Sequence, residues 1–117
     1  MINFDNISKV YLITSVTDLR KGIDGYTKII QDTFKLDPFE DTLYIFMNKH
    51  KDKMKVIYWD TNGFWLLYKR LEKGKFKFKR SVEDDCIEIS HQQLKWLLEG
   101  LNISQEKAFK AHKYLYV

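Results

Sequence analysis

Eleven Lys and Arg residues lie between Lys49 and Arg80, against three acids, Asp52, Asp60 and Glu72. That surplus of eight exceeds the +4 of the whole 117-residue chain, so everything outside the stretch sums to −4. Charge segregated this strongly is a statement about partners: the stretch should attract polyanions, and DNA is the leading candidate. Within it Lys75, Lys77 and Lys79 alternate with Phe76 and Phe78, the pattern of a strand with one basic face. Lysines two apart on a strand recur every ~6.6–7 Å, close to twice the ~3.4 Å rise per phosphate on one DNA strand. A plainer role for such lysines is to protect an exposed sheet edge from aggregation. Adding Lys49, Lys51, Lys53, Lys69, Arg70, Lys73 and Arg80 shifts the balance towards phosphate contact.

Other chemistries find less support. Tyr58, Trp59, Phe64, Trp65 and Tyr68 have the side chains that stack on unpaired bases, but aromatics dominate cores by buried area, and a core role is the stronger reading. Lys21-Gly22-Ile23-Asp24-Gly25 has the GxxG spacing that clamps phosphates between two helices. Here the apolar stripe continues through it, so the glycines read as sites of close helix–sheet approach, with Arg20 and Lys21 still able to reach phosphate. Strand-transfer catalysis needs carboxylates that hold two metal ions. Asp18, Asp24, Asp60 and the Glu83–Asp85 run show no spacing that singles out three. His50, His91 and His112 are scattered, and Cys86, beside Asp84 and Asp85, lacks the positive neighbours that activate a thiol. The chain reads as a non-enzyme, with no cofactor and no metal.

The elements that must position the basic residues follow from periodicity. Lys9–Ser15 reads as a first strand. Thr17 reads as a helix N-cap with Asp18 in the first turn, and Leu19, Ile23, Tyr26, Ile30 and Phe34 follow at helical spacing over about four turns. Thr42–Asn48 is apolar on both faces, which predicts a central strand covered on each side. Asn48–Lys53 is a charged turn and Met54–Asp60 a third strand. Asn62-Gly63 is a strong hairpin signal for a type I′ turn with Gly63 at positive φ, which pairs Phe64–Arg70 with Met54–Asp60. Gly74 marks another turn, and Lys75–Lys79 follows as a strand. Ser90 and Gln93 form a capping box for a helix striped by Leu94, Leu97, Leu98 and Leu101, with Trp96 off the stripe's centre. A last helix over residues 105–114 is a further expectation. The order predicts an α+β domain: an antiparallel β-meander of four to six strands, with one long N-terminal helix and a C-terminal helix packed on it.

The length suits one domain, here residues 1–103, with 104–117 a C-terminal helix or tail. A hydrophobic content of 44% alongside 31% charged residues fits a globular chain with a real core. The N-terminus lacks the pattern of a signal peptide, and no apolar run approaches the roughly 18–20 residues of a membrane span. One cysteine excludes an internal disulfide and the common zinc patterns, consistent with a cytoplasmic protein.

Three collinear pieces carry a resemblance: VYLITSVTDLRKGIDG (Val10–Gly25), DPFEDTLYIFMNKHKDKMKVIYWDTNGFWLLYKRLEKGKF (Asp37–Phe76) and ISHQQLKWLLEGLN (Ile89–Asn102). They resemble the TnpB-type accessory protein of insertion-sequence-66-type bacterial transposable elements. Basic positions around 48–53 and 71–78, usually richer in Arg in that family, are mostly Lys here, which keeps the charge and gives up the planar fork. The tail 104–117 departs from the pattern. The resemblance implies a role in transposition. Combined with the charge, it predicts a non-catalytic accessory protein that contacts DNA phosphates through Arg20, Lys21, Lys49, Lys51, Lys53, Lys69, Arg70, Lys73, Lys75, Lys77 and Lys79. Its protein partners would be the transposase, other proteins of the element, or a second copy of itself, with Trp96 as the anchor. The competing expectation is a protein-interaction module whose basic rim meets an acidic surface on the transposase. In that reading the helix Ser90–Asn102 or the aromatic tail Tyr114–Val117 docks.

Overall fold

The structure, a computed structural model, describes residues 4–80 and 83–104. Among these residues five strands form one sheet: β1 Lys9–Val16, β2 Thr42–Met47, β3 Lys53–Asp60, β4 Gly63–Arg70 and β5 Cys86–Ile89, in the spatial order β4-β3-β2-β1-β5. β2 is central and all six of its residues are buried, as its two-sided apolar pattern requires. Tyr44 and Phe46 face a layer formed by α1 (Ile23–Lys28) and its wider-turned continuation Ile29–Thr33, packing with Ile13, Tyr26, Ile30 and Ile57. Leu43, Ile45 and Met47 face the other way, into a cluster with Leu94 and Leu97 of α2 (His91–Leu98) and with Phe76 and Phe78.

The α+β class holds, but the sheet is not a simple meander. β1 and β2 are parallel, from Lys9↔Thr42 to Ile13↔Phe46, while β2–β3–β4 and β1–β5 are antiparallel. A helix between the two strands returns the chain to the starting end, and the next strand then runs the same way. β5 was not expected: it is four residues long and becomes a strand only against β1.

The N-terminal helix is shorter than its stripe suggested. It begins at Ile23, because the Asp18 carboxylate accepts the Arg20 backbone N–H at 2.9 Å, a local turn that competes with helix. Thr17 caps nothing; its N–H goes to Met47 O at 3.0 Å. Lys35, at φ 58, turns the chain out of helical geometry before Pro38. The stripe itself packs as expected, with Tyr26 and Ile30 buried and Leu19, Ile23 and Phe34 partly so. Gly22 and Gly25 do not serve close approach to the sheet. A Cβ on Gly22 would meet nothing within 4 Å, and the nearest atoms to one on Gly25 belong to the Lys21 side chain.

The β3–β4 hairpin is present, but its turn is shifted by one residue. Asp60 pairs with Gly63, so Thr61 and Asn62 form the loop. Thr61 takes the positive φ, 52°, and Gly63 lies in the strand. The Asp60 carboxylate, accepting the Trp65 indole N–H at 2.9 Å, helps hold this arrangement.

At α2 the capping box forms as read: Ser90 Oγ accepts the Gln93 N–H at 3.0 Å, and Gln93 Oε1 accepts the Ser90 N–H at 2.8 Å. Gly100 at φ 82° closes the helix, with Leu101 N–H on Trp96 O at 2.8 Å and Gly100 N–H on Leu97 O at 3.2 Å, the paired bonds of a Schellman motif. That exit carries Leu101 off the apolar stripe and leaves it 44% exposed. The expected helix over residues 105–114 lies outside the described residues. Among the described residues no helix is long and apolar enough to cross a membrane.

Candidate nucleic-acid interface

The basic residues gather at one end of the sheet. β2 ends there, β3 begins there and β4 ends there, with Lys53 opposite Arg70. The β1–α1 connection reaches the same end: Thr17 bonds Met47, and Lys55 Nζ donates to Lys21 O at 3.1 Å. The turn between β2 and β3 is built by Asn48. Its Oδ1 accepts the N–H groups of Asp52 and Lys53, each at 3.1 Å, and its Nδ2 donates to Asp52 Oδ1 at 2.6 Å. That donated bond holds the Asp52 carboxyl below its usual range. Lys51 adopts φ 58° at the tip.

Residues 75–80, expected as a strand, are not one. The segment is extended and lies against the β2–β3 turn instead of joining the sheet edge. Phe76 N–H donates to Lys51 O at 2.7 Å, and Ile103 N–H donates to Lys77 O at 3.2 Å. The alternation of faces survives: Phe76 and Phe78 are buried, while Lys75, Lys77 and Lys79 are exposed. Burial of the two rings, not a strand ladder, sets the pattern. The basic surface is thus a sheet end backed by a coil, not a sheet edge.

Two cations are consumed by this architecture. Lys51 Nζ donates to Phe78 O at 2.5 Å and stands 4.6 Å from the Phe78 ring centroid; burial lowers its pKa. Arg80 packs its guanidinium on the same ring, 5.3 Å away, and donates to the carbonyls of Thr14 and Asn48, tying β1, the β2–β3 turn and the coil together. Burial lowers its pKa as well. Lys51, expected to contact phosphate, is held by the Phe78 carbonyl and ring.

The other expected residues divide by what they already hold. Arg20 pairs with Asp18 at 2.8 Å, and that hydrogen-bonded contact keeps the Asp18 carboxyl far below the usual range. Arg70 pairs with Glu72 at 2.9 Å. Both pairs are exposed, and pairs of this kind contribute about 0–1 kcal/mol, so a phosphate can compete for the guanidinium. Lys69 Nζ donates to Leu98 O at 3.2 Å, at the carbonyl end of α2, where a cation is favoured. Lys21 is exposed. The side chains of Lys49, Lys53, Lys73, Lys75, Lys77 and Lys79 have no hydrogen bond or ion pair among the described residues.

Lys55, not singled out from sequence, completes the set. It shares the α1 face with Lys53 and lines a shallow concavity with Arg20, Asn48, Lys53 and Tyr68. Its signal was the two-residue spacing from Lys53 along β3. The aromatic set divides too. Trp59 and Phe64 pack with Phe39, their centroids within 5.3 Å, whereas Trp65 and Tyr68 are 49% and 55% exposed on opposite faces of β4. Trp96 is partly buried on α2.

Three acids, Asp18, Asp52 and Glu72, lie among these cations. Asp37, Glu40, Asp41 and Asp60 occupy the opposite end of the sheet, beside Lys9 and Lys35. The Glu83–Asp85 run flanks the basic end on the β5 side, where Asp85 O accepts the Thr14 N–H at 2.8 Å. Cys86 is half-buried, and burial pushes its thiol up to about 11, far from a reactive thiolate. Among the described residues no three His, Cys, Asp or Glu side chains are grouped to hold a metal ion.

The chain is similar to the uncharacterized protein y4hO of Sinorhizobium fredii, 35% identical over 94 residues, covering 80% of this chain and 81% of that protein. It is also similar to the uncharacterized protein y4jC of the same organism, 30% identical over 99 residues, covering 85% and 84%. No solved structure matches it. The family of IS66 Orf2-like proteins matches residues 8–108, and with nearly the whole described fold inside that span the chain belongs to this family of insertion-sequence accessory proteins.

Proposed function

We propose that this chain is a non-catalytic DNA-binding accessory protein of its transposable element, that it grips the phosphate backbone with the basic end of its sheet, and that it assists the transposase on that DNA. The observation that carries the reading is the gathering of six lysines that have no hydrogen bond or ion pair among the described residues (Lys49, Lys53, Lys73, Lys75, Lys77 and Lys79) at one end of a sheet whose other end carries Asp37, Glu40, Asp41 and Asp60. A field with that polarity orients a polyanion before contact. Arg20, Lys21, Lys55, Lys69 and Arg70 ring the cluster and extend the footprint. Lysines are point charges without the bidentate fork, which suits phosphate contact over base reading. Among the described residues no helix or ribbon projects from this end to enter a groove, so sequence choice would fall to the partner. A protein acting on the element's DNA would do so in the cytoplasm.

Binding to duplex DNA is expected to weaken with salt at a log–log slope of about −0.9 for each phosphate neutralised. The triple variant Lys75→Gln, Lys77→Gln, Lys79→Gln should flatten the slope by up to about three such steps and leave the unfolding midpoint nearly unchanged, because all three side chains are exposed. An unaltered slope would remove the coil from the DNA site. The competing reading, a module that meets only an acidic surface of the transposase, is favoured by partly buried Trp96 and exposed Leu101 on one helix end. Retardation of duplex DNA by the purified protein at moderate salt decides between them.

A further inference from the structure

β4 is an edge strand of eight residues, with β3 on one side and, among the described residues, no strand on the other. Long edges are usually blunted by proline, a bulge or charges along their length. β4 has none of these over most of its course. It contains no proline, it pairs with β3 without a break from Lys53↔Arg70 to Asp60↔Gly63, and its only charges are its last two residues, Lys69 and Arg70. Between its ends run Phe64, Trp65, Leu66, Leu67 and Tyr68. Trp65 lies opposite Tyr58 on the α2 face and Tyr68 opposite Lys55 on the α1 face, each about half exposed. The other edge, β5, is only four residues long.

We propose that β4 pairs antiparallel with β4 of a second copy of this chain, joining two five-stranded sheets into one of ten strands about a two-fold axis near Leu66 and Leu67. A two-fold contact needs a surface complementary to itself, and β4 is one: its centre is apolar and its two ends differ in charge. Antiparallel pairing sets Lys69 and Arg70 of each copy beside the partner's hairpin end, where Asp60 sits, so each basic end meets an acidic end. Parallel pairing would align the basic ends and is opposed by like charge. The antiparallel seam supplies backbone partners for the outward N–H and C=O groups of both strands and covers Trp65 and Tyr68 from each copy. It leaves the lysine clusters free and directs them to opposite ends of the joined sheet.

The test needs no DNA, so its outcome is separate from that of the DNA reading. Sedimentation of the full chain from low to high micromolar concentration should show a mass approaching twice the 14.1 kDa of one chain. The double variant Trp65→Lys, Tyr68→Lys puts four like charges at the seam and should sediment as a single chain with an unchanged circular dichroism spectrum. Hydrogen exchange of the wild-type protein at high and low concentration gives a second readout that does not depend on the variant folding: amide protection should rise with concentration in β4 and not in β5 or α2. A single-chain mass at every concentration overturns the proposal, including the case in which residues 105–117 of the same chain protect β4. A folded variant that keeps the doubled mass, or a gain in protection at β5 or α2 in place of β4, overturns it too.

Discussion

Two neighbouring basic residues, Lys79 and Arg80, should answer to substitution in opposite ways. Arg80 is the tie between β1, the β2–β3 turn and the coil, through the carbonyls of Thr14 and Asn48 and the Phe78 ring. A hydrogen bond from a charged donor contributes about 1.5–3 kcal/mol, and a guanidinium over a ring about 0.5–1 kcal/mol more at a partly exposed site. Two such bonds and one ring contact, discounted because the side chain is only half-buried, give a loss of about 2–4 kcal/mol for Arg80→Gln. Domains of this size are stable by about 5–15 kcal/mol, so the loss is a large share of the total. Lys79→Gln removes an exposed side chain without a protein partner and should change stability by less than about 0.5 kcal/mol. Urea unfolding followed by tryptophan fluorescence reads both. The midpoint should fall for Arg80→Gln at an unchanged slope, and stay put for Lys79→Gln. DNA retardation should show the reverse order, with Lys79→Gln weakening binding and folded Arg80→Gln retaining it. An Arg80→Gln protein as stable as the wild type would mean that the coil is held by Phe76 and Phe78 alone and that the tie is not a structural one.

The turn at Thr61 offers a second contrast. Gly63→Val should be nearly silent in a denaturation curve, since Gly63 lies in the strand with open space around it, whereas Thr61→Gly should stabilise by about 1 kcal/mol by relieving a β-branched residue at positive φ. A large loss for Gly63→Val would restore the Asn62-Gly63 turn. Trp96→Ala, measured for stability and for association with the transposase, should lose association at little cost in stability if the partly buried indole is an anchor; a drop of about 3–5 kcal/mol would place it in the core. Cys86, its thiol pushed up to about 11 by burial, should stay protonated through mildly alkaline pH and alkylate far more slowly in the folded protein than in urea. The charged form is the one disfavoured by folding, so the stability contribution of this thiol is intact below its unfolded value and declines as pH rises through it. Equal alkylation rates with and without urea would contradict the buried placement.

The gathering of basic residues is legible in the sequence while their individual partners are not, and the division has a physical cause. Charge totals add up along the chain whatever the fold, so the basic bias of Lys49–Arg80 survived intact. Whether a given cation faces water or a carbonyl depends on which backbone oxygens the fold brings near it. Lys51 and Arg80 look like Lys53 and Lys79 in the sequence, yet Phe78 O, Thr14 O and Asn48 O claim the first two. The signal for Lys55 was present as spacing but was masked by its place inside an apolar strand.

Local patterns decided what depends on neighbours a few residues away. The central place of β2 follows from apolar residues on both its faces, the start of α2 from Ser90 and Gln93, the β3–β4 pairing from two strand-forming runs joined by a tight turn, and the outward lysines of 75–79 from alternation with buried Phe76 and Phe78. Tertiary structure alone decided what depends on partners far away in the chain. The parallel pairing of β1 with β2, the recruitment of β5 to the far edge, the placement of residues 75–80 against the β2–β3 turn and the late start of α1 all rest on which hydrogen bonds and buried surfaces distant segments can satisfy together. Periodicity records which side of an element is buried, because burial repeats with the backbone; it carries no record of which element does the burying.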